Sequence, residues 1–381
     1  MLRKILTFFQ KETVLSISAI LAILSMFIVH PSGRYFSYID FRTLSLLFCL
    51  MSIVAGLSEI GLFDYLAEKI LSRANSIKSI IVLLVLLCFF FSMIITNDVA
   101  LITFVPLAII ILKKMSEKQK NYWILRTVVM QTIAANLGSM LTPIGNPQNL
   151  YLYARANMSA LALIRLMLPY SIAALVLLLV WIQIAAHREP GSTTENHISE
   201  LFSIHKTKAP NQTSLIGYLI LFLICLLVVA HIIDYRISFI LVIGYIFFKN
   251  WHLFKKVDYS LLLTFTALFI FIGNLKCIPQ FNHFLISIID GHETLTAILS
   301  SQIISNVPTA ILLSGFTKNY SALIIGTNIG GLGTLIASMA SLISFKYIAK
   351  EKTTLRGKYF MMFTIANIVF LILLLLCINF L

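Results

Sequence analysis

Acidic residues are scarce in this chain. Its 381 residues carry 15 Asp and Glu against 29 Lys and Arg, and charged residues make up 12% of the whole, about half the share of an ordinary soluble domain. A globule of this length could bury a large core, but it would still need a charged surface that this composition cannot supply. A water-soluble enzyme is thereby excluded. Paired cysteines are also missing: Cys49, Cys88, Cys225, Cys277 and Cys377 stand singly in apolar segments, with no Cys-x-x-Cys, so neither a disulfide framework nor a thiolate metal site is expected. There is no HExxH, no P-loop, no GxSxG and no acid pair inside an apolar run. Of the eight histidines, His187, His197 and His205 fall in one hydrophilic stretch and none at the middle of a run.

What fills the chain is apolar: 59% hydrophobic residues and a mean hydropathy of +0.94. The apolar runs cover 13–30, 43–58, 79–112, 127–152, 166–186, 213–233, 237–248, 259–275, 294–345 (broken only by Lys318) and 359–381. They predict an all-α polytopic membrane protein with lipid as its main solvent. The first run is 18 residues long and ends in Pro31-Ser32-Gly33-Arg34 without a small-residue cleavage site, so it is expected to be a span and not a removable signal peptide. The net charge of +14 then reads as a topology signal, because Lys and Arg gather in cytoplasmic loops. Nucleic acid is not an expected partner.

Two runs have awkward lengths. Residues 79–112 are 34 in number, too many for one span of about 20 residues and too few for two spans with a turn. A re-entrant hairpin fits, tipped by Thr96-Asn97-Asp98. The run 294–345 would hold a similar hairpin over 294–317 and then a full span. With a cytoplasmic N-terminus and the first hairpin entering and leaving on that side, 22 of the 29 basic residues fall inside and 7 outside, as the positive-inside rule requires. The C-terminus is then outside. The two halves run in opposite senses, each with an apolar helix, a glycine exit and an interfacial helix ahead of its hairpin, which is the inverted-repeat plan of secondary transporters. The expected organisation is a first repeat over 1–186 with an inward hairpin, a cytoplasmic linker over 187–212, and a second repeat over 213–381 with an outward hairpin.

Each half also carries a polar break. Asn136-Leu137-Gly138-Ser139 runs into Thr142-Pro143-Ile144-Gly145-Asn146-Pro147-Gln148-Asn149, where two prolines and a glycine must unwind the helix. In the second half, Thr327-Asn328-Ile329-Gly330-Gly331-Leu332-Gly333-Thr334 follows Ser305-Asn306-Val307-Pro308-Thr309 and repeats the logic without prolines. Freed carbonyls suit a small cation and half-helix N-termini suit an anion. The candidate substrate and ion contacts are Thr96, Asn97, Asp98, Asn136, Thr142, Gly145, Asn146, Asn149, Ser305, Asn306, Thr309, Thr327, Asn328 and Gly331. Sodium contacts are expected at Asn97, Gly145, Asn306 and Asn328. A purely structural role is the other reading: Asn97, Asp98 or Asn306 as helix caps, and the glycines as a packing face. Asp98 is the one acid placed deep in the apolar layer, where burial opposes its charge and a helix N-terminus favours it. It is the candidate for binding or exchanging a proton or sodium ion.

The segments TNDVALITFVPLAI, NLGSMLTPIGNPQNL, SNVPTAILL and GTNIGGLGTLIASMASLISF resemble the signature segments of the ion transporter superfamily. That superfamily includes divalent-anion/sodium symporters, citrate transporters, arsenite-efflux permeases and a class of sodium/proton antiporters. LMSIVAGLSEIGLFDYLA is similar to a further stretch of the arsenite-permease branch. The resemblance implies a scaffold domain and a transport domain, two opposed hairpins, and a homodimer working by an elevator motion. In the dicarboxylate symporters each tip carries Ser-Asn-Thr. Here the matching positions read Thr96-Asn97-Asp98 and Ser305-Asn306-Val307, so the asparagines remain while an acid and a valine replace the threonines. The Asn-Asp and Asn-x-Pro patterns are more similar to the arsenite-permease branch. The expected function is secondary active transport of a small anion or oxyanion of the carboxylate, sulfate or arsenite class, coupled to sodium or protons across the plasma (inner) membrane, with no cofactor beyond a sodium ion. A sodium/proton antiporter is the alternative, and an intramembrane enzyme a remote one.

Overall fold

The computed structural model describes residues 12–189, 209–351 and 355–378. Both chain ends, whose sidedness the charge count assigns, and most of the 187–212 linker lie outside the described residues. The described chain is helical, with no strand among the described residues. The first half comprises α1 (Thr13–Ile28), α2 (Tyr35–Tyr38), α3 (Phe41–Glu59), α4 (Leu62–Leu71), α5 (Ile77–Ile95), α6 (Asn97–Lys113), α7 (Glu117–Ser139), α8 (Pro147–Arg155) and α9 (Ala160–His187). The second comprises α10 (Gln212–Val229), α11 (Tyr235–Asn250) with a 3-10 turn Trp251–Lys256, α12 (Tyr259–Lys276), α13 (Pro279–Ile289), α14 (Glu293–Ile304), α15 (Asn306–Leu313), α16 (Tyr320–Ile329), α17 (Met339–Glu351) and α18 (Leu355–Ile378). Among the described residues seven helices are long and apolar enough to cross a bilayer: α3, α5, α9, α10, α11 with its 3-10 turn, α12 and α18. This is a multi-pass membrane protein.

The exposure pattern is the inverse of a soluble helix bundle. Helix α1 buries Ser16, Ser18, Ala22 and Ser25 while Ile17, Ile20, Leu24 and Phe27 face outward, Phe27 at 76% exposure. Small and polar residues let helices approach closely and bond across the contact when lipid takes the apolar side. Asn274 of α12 accordingly donates from Nδ2 to Ser25 Oγ at 2.9 Å and to Tyr35 Oη at 2.9 Å. Helix starts are fixed by side-chain caps that satisfy orphan amides: Asp40 Oδ1 accepts from Thr43 N at 3.0 Å, Ser76 Oγ from Ser79 N at 3.1 Å and Asp258 Oδ1 from Leu261 N at 3.0 Å.

Helices α5 and α6 pack as two arms joined at Thr96, and α14 and α15 as two arms joined at Ser305. The second polar run departs from an unbroken span after the hairpin: it is two halves, α16 and α17, of 10 and 13 residues, separated at the glycine-rich break that the sequence predicts. A second departure concerns the glycine exits. Gly61 does leave α3 at φ +74°, but Gly273, which matches it by pattern, stays inside α12 and is a glycine for another reason: a Cβ there would meet the Tyr38 ring at 2.2 Å. The exit of the second half is instead Cys277–Ile278, ahead of Pro279, which sits at the start of α13.

Candidate functional site

The two hairpin tips have the same backbone. Thr96 lies at φ 73°, ψ 152° and Ser305 at φ 74°, ψ 154°, a region that residues with a Cβ adopt only when their surroundings hold them there, at a cost of order 1–3 kcal/mol. What holds them is also the same. Asn97 N donates to Gly145 O at 3.1 Å, and Asn306 N donates to Ala337 O at 2.9 Å. Thr142 Oγ1 donates to Met93 O, and Thr334 Oγ1 to Gln302 O at 3.1 Å. Each tip is thus pinned to the unwound stretch of the following broken helix, three residues before the tip and immediately after it.

These bonds fix a register in which residues 136–149 overlie 328–341 without a gap. It pairs Asn136 with Asn328, Gly138 with Gly330, Gly145 with Ala337, Asn146 with Ser338 and Asn149 with Ser341. Gly138 sits against Phe89 and Ser92, and Gly330 against Ile298 and Ser301, where a Cβ would come within 2.0 Å of Phe89 O and 2.9 Å of Ile298 Cα. The two halves then grip each other reciprocally. Asn328 Oδ1 accepts from Asn146 Nδ2 at 3.0 Å and its Nδ2 donates to Asn149 Oδ1 at 2.6 Å. Asn136 Oδ1 accepts from Ser338 Oγ at 3.0 Å and its Nδ2 donates to Ser341 Oγ at 3.4 Å. All six side chains are buried, so the contact between halves is a polar seam inside an apolar protein.

The tips differ in what their side chains do. Asn97 Nδ2 is bonded to Asn136 Oδ1 at 3.1 Å, and Asn97 Oδ1 accepts from Asp98 N at 3.0 Å. The Asn306 side chain, 4% exposed, bonds no described residue, and Thr309 Oγ1 is buried with no partner. Gly331 makes room for the Asn306 amide, since a Cβ there would lie 2.9 Å from Nδ2. Thr327 turns its hydroxyl back onto Leu323 O of its own helix at 2.7 Å. Capping falls to other residues than the sequence suggests: helices α6 and α15 begin at Asn97 and Asn306, neither Asp98 nor Asn306 caps a helix with its side chain, and Asn146 caps α8 through Asn149 N at 2.9 Å.

The Asp98 side chain makes no hydrogen bond to the seam, although the seam residue Asn146 shares its cavity. One carboxylate oxygen is buried without a partner, and the residue lines a cavity of about 260 Å³ with Ser58, Thr96, Asn146, Lys256 and Asp258. Lys256 Nζ is held 2.7 Å from Glu59 Oε2, whose Oε1 meets His252 Nε2 at 2.6 Å. Sequence reasoning missed Asp258 and Lys256, which look like ordinary loop charges. No group of three His, Cys, Asp or Glu converges as a metal site among the described residues.

Gln302 was also missed, and it explains how the second break opens without proline. In the first break Asn149 Nδ2 donates to Met140 O at 3.0 Å and Thr142 O at 3.1 Å. Ser341, its counterpart, makes no such bond. Instead Gln302 Nε2 donates to Leu332 O at 3.0 Å and Gly330 O at 2.9 Å, and its Oε1 accepts from Thr334 N at 2.9 Å. Gln302→Leu is expected to lower the melting midpoint in detergent by the equivalent of about 1–3 kcal/mol for each break group left unpaired. Met93→Leu, at the matching position, is expected to cost under about 1.5 kcal/mol.

Two hairpin tips and two broken helices meeting in a buried polar seam, inside a bundle of membrane-spanning helices, define the class: a polytopic membrane transporter. The family described as Citrate transporter, CitMHS, matches residues 5–319, and the chain belongs to that family, within the ion transporter superfamily. It is 34% identical over 332 residues to Uncharacterized transporter MJ0456 of Methanocaldococcus jannaschii, covering 87% of each chain. It is 32% identical over 332 residues to Inner membrane protein YbiR of Escherichia coli, covering 85% of this chain and 84% of that one. A shorter likeness, 30% over 128 residues, joins it to the P protein of Homo sapiens. Family and relatives point to a transporter and not to an enzyme.

Proposed function

We propose that the protein is a secondary active transporter that moves a small anion or oxyanion, of the carboxylate, sulfate or arsenite class, with sodium or protons across the plasma (inner) membrane. The observation that carries this reading is the pair of donors at the second tip: the Thr309 hydroxyl, buried with no partner among the described residues, and the amide of Asn306, a residue 4% exposed whose side chain bonds no described residue. Buried donors without partners are costly, and an anion relieves that cost. The coupling ion belongs at the first tip, where Asp98 offers a free carboxylate oxygen. Oxygens of Asn97, Gly145 and Asn306 lie along the same pair of tips for sodium, whereas the Asn328 amide is already taken up by the seam. The matched registers support two repeats inserted in opposite senses, with the hairpins entering from opposite faces, and the family supports a homodimer.

The test is thermal stability of the purified protein, with and without sodium, at several pH values, against citrate, other dicarboxylates, sulfate, phosphate and arsenite. A ligand at a hundred times its dissociation constant adds about 2.7 kcal/mol. One anion raising the midpoint, more so with sodium or at low pH, is the expected result. Stabilisation by sodium alone, unaffected by every anion, would replace this reading with a sodium/proton antiporter, the alternative that the position of Asp98 favours.

A further inference from the structure

At the end of the fold away from Asp98 and Asp258 lies a second cavity, of about 270 Å³, whose charge is reversed. Arg155, the last residue of α8, and Lys276, the last residue of α12, both line it. Neither makes an ion pair or a hydrogen bond among the described residues. The one acid in the wall is Asp40, and both of its oxygens are engaged by Thr43, from N at 3.0 Å and from Oγ1 at 2.7 Å. A cation at a helix C-terminus is favourable by itself, but that accounts for each residue separately. It does not account for two cations on different helices sharing one recess with a single, already occupied carboxylate. Gly315 leaves room for both Ile272 and Lys276: a Cβ there would lie 2.7 Å from Ile272 Cγ2 and 3.1 Å from Lys276 Cε.

The cavity is linked to the seam by α8, which starts at the seam residues Asn146 and Asn149 and ends at Arg155. Its floor is Tyr151, whose hydroxyl meets Ser314 Oγ at 2.8 Å. Tyr151 follows Asn149 by two residues on α8 and precedes Arg155 by four, so one short helix carries the seam contact, the floor and the rim. Tyr151 and Ser314 join the half-helix of the first repeat to the second arm of the second hairpin, whose tip bears Asn306. We infer that this cavity is a separate anion site, in which Arg155 and Lys276 collect a small carboxylate or oxyanion, with Tyr151 and Ser314 closing the way between cavity and seam. The inference deepens the reading of the protein as an anion carrier and rests on it for its purpose, though not for its test.

Cys277 lines the same cavity and is exposed, while Cys49, Cys88 and Cys225 are buried. It is a reporter already in place. The experiment compares the labelling rates of Cys277 by an anionic and a cationic methanethiosulfonate of similar size, read at that residue by mass spectrometry of the digested full-length protein. In the Arg155→Gln/Lys276→Gln variant the ratio of anionic to cationic rate is expected to fall about tenfold or more, the lower end of what focused charge does to encounter rates. Citrate or sulfate, at constant ionic strength, is expected to slow labelling of the unaltered protein. An unchanged rate ratio in the variant overturns the site, and so does labelling indifferent to both anions. The second measurement needs no variant, so a misfolded double variant leaves the site testable. Labelling requires no transport: protection without any anion flux keeps this site and counts against the carrier, whereas flux without protection counts against this site alone.

Discussion

An Asn306→Ala protein is expected to melt close to the parent and to lose anion transport. The Asn306 side chain bonds no described residue, so its removal breaks nothing that holds the fold. Its backbone N–H, which pins the tip to Ala337 O, is untouched by the substitution. What disappears is the amide that Gly331 leaves room for at the second tip. A hydrogen bond to a charged ligand contributes about 1.5–3 kcal/mol, so affinity for the anion should fall about ten- to a hundredfold. Asn97→Ala gives the contrasting case. It also removes the bond to Asn136 Oδ1 at 3.1 Å and the acceptor for Asp98 N, and should cost about 1 kcal/mol or more of stability beside any loss of flux. Melting in detergent and anion uptake into proteoliposomes, measured on the same preparations, separate the two. Parental uptake by Asn306→Ala, or by the Asn97→Ala/Asn306→Ala double variant, would remove the tips from the transport path.

The tips were legible because polar triplets inside apolar runs have few structural uses, and the first break because Pro143 and Pro147 remove helix donors outright. The second break was legible only as a cluster of glycines. Its mechanical part, Gln302, sits three residues ahead of Ser305 and reads as one polar residue on a helix. Ser338 and Ser341 escaped for a related reason: a hydroxyl just before or within a helix is unremarked until a register pairs it, and here the ungapped overlay of 136–149 on 328–341 was the available signal. Thr327 was drawn in by proximity to Asn328, yet a threonine within a helix readily bonds the carbonyl four residues back, and this one does. Gly273 matched Gly61 in pattern, but the Tyr38 ring that requires a glycine there belongs to a distant segment. Arg155 and Lys276 were counted only as loop charges for topology, because nothing in one dimension places two helix ends in the same recess.

Asp98→Asn is expected to uncouple transport and not to abolish it. The substitution keeps the shape of the side chain and deletes a charge whose Oδ1 is buried and unpartnered, so stability should be unchanged or improved. Nearby charges do not stand in for it. Asp258 caps α12 through Leu261 N, and Lys256 is held by Glu59 at 2.7 Å with His252 on the other oxygen. With one coupling cation per anion, a tenfold cation gradient supplies about 1.4 kcal/mol and supports about tenfold accumulation of the anion. The Asp98→Asn protein should still exchange labelled anion for unlabelled anion across a proteoliposome membrane, since the donors at Asn306 and Thr309 remain. Its accumulation ratio in that gradient should fall to about one, and its melting midpoint should no longer respond to the coupling cation. Undiminished accumulation would place the coupling ion elsewhere, leaving Asp98 as a fixed charge in the wall of its cavity. Loss of exchange and accumulation together would instead make Asp98 part of the anion path, reached through the Asn146 that its cavity shares with the seam.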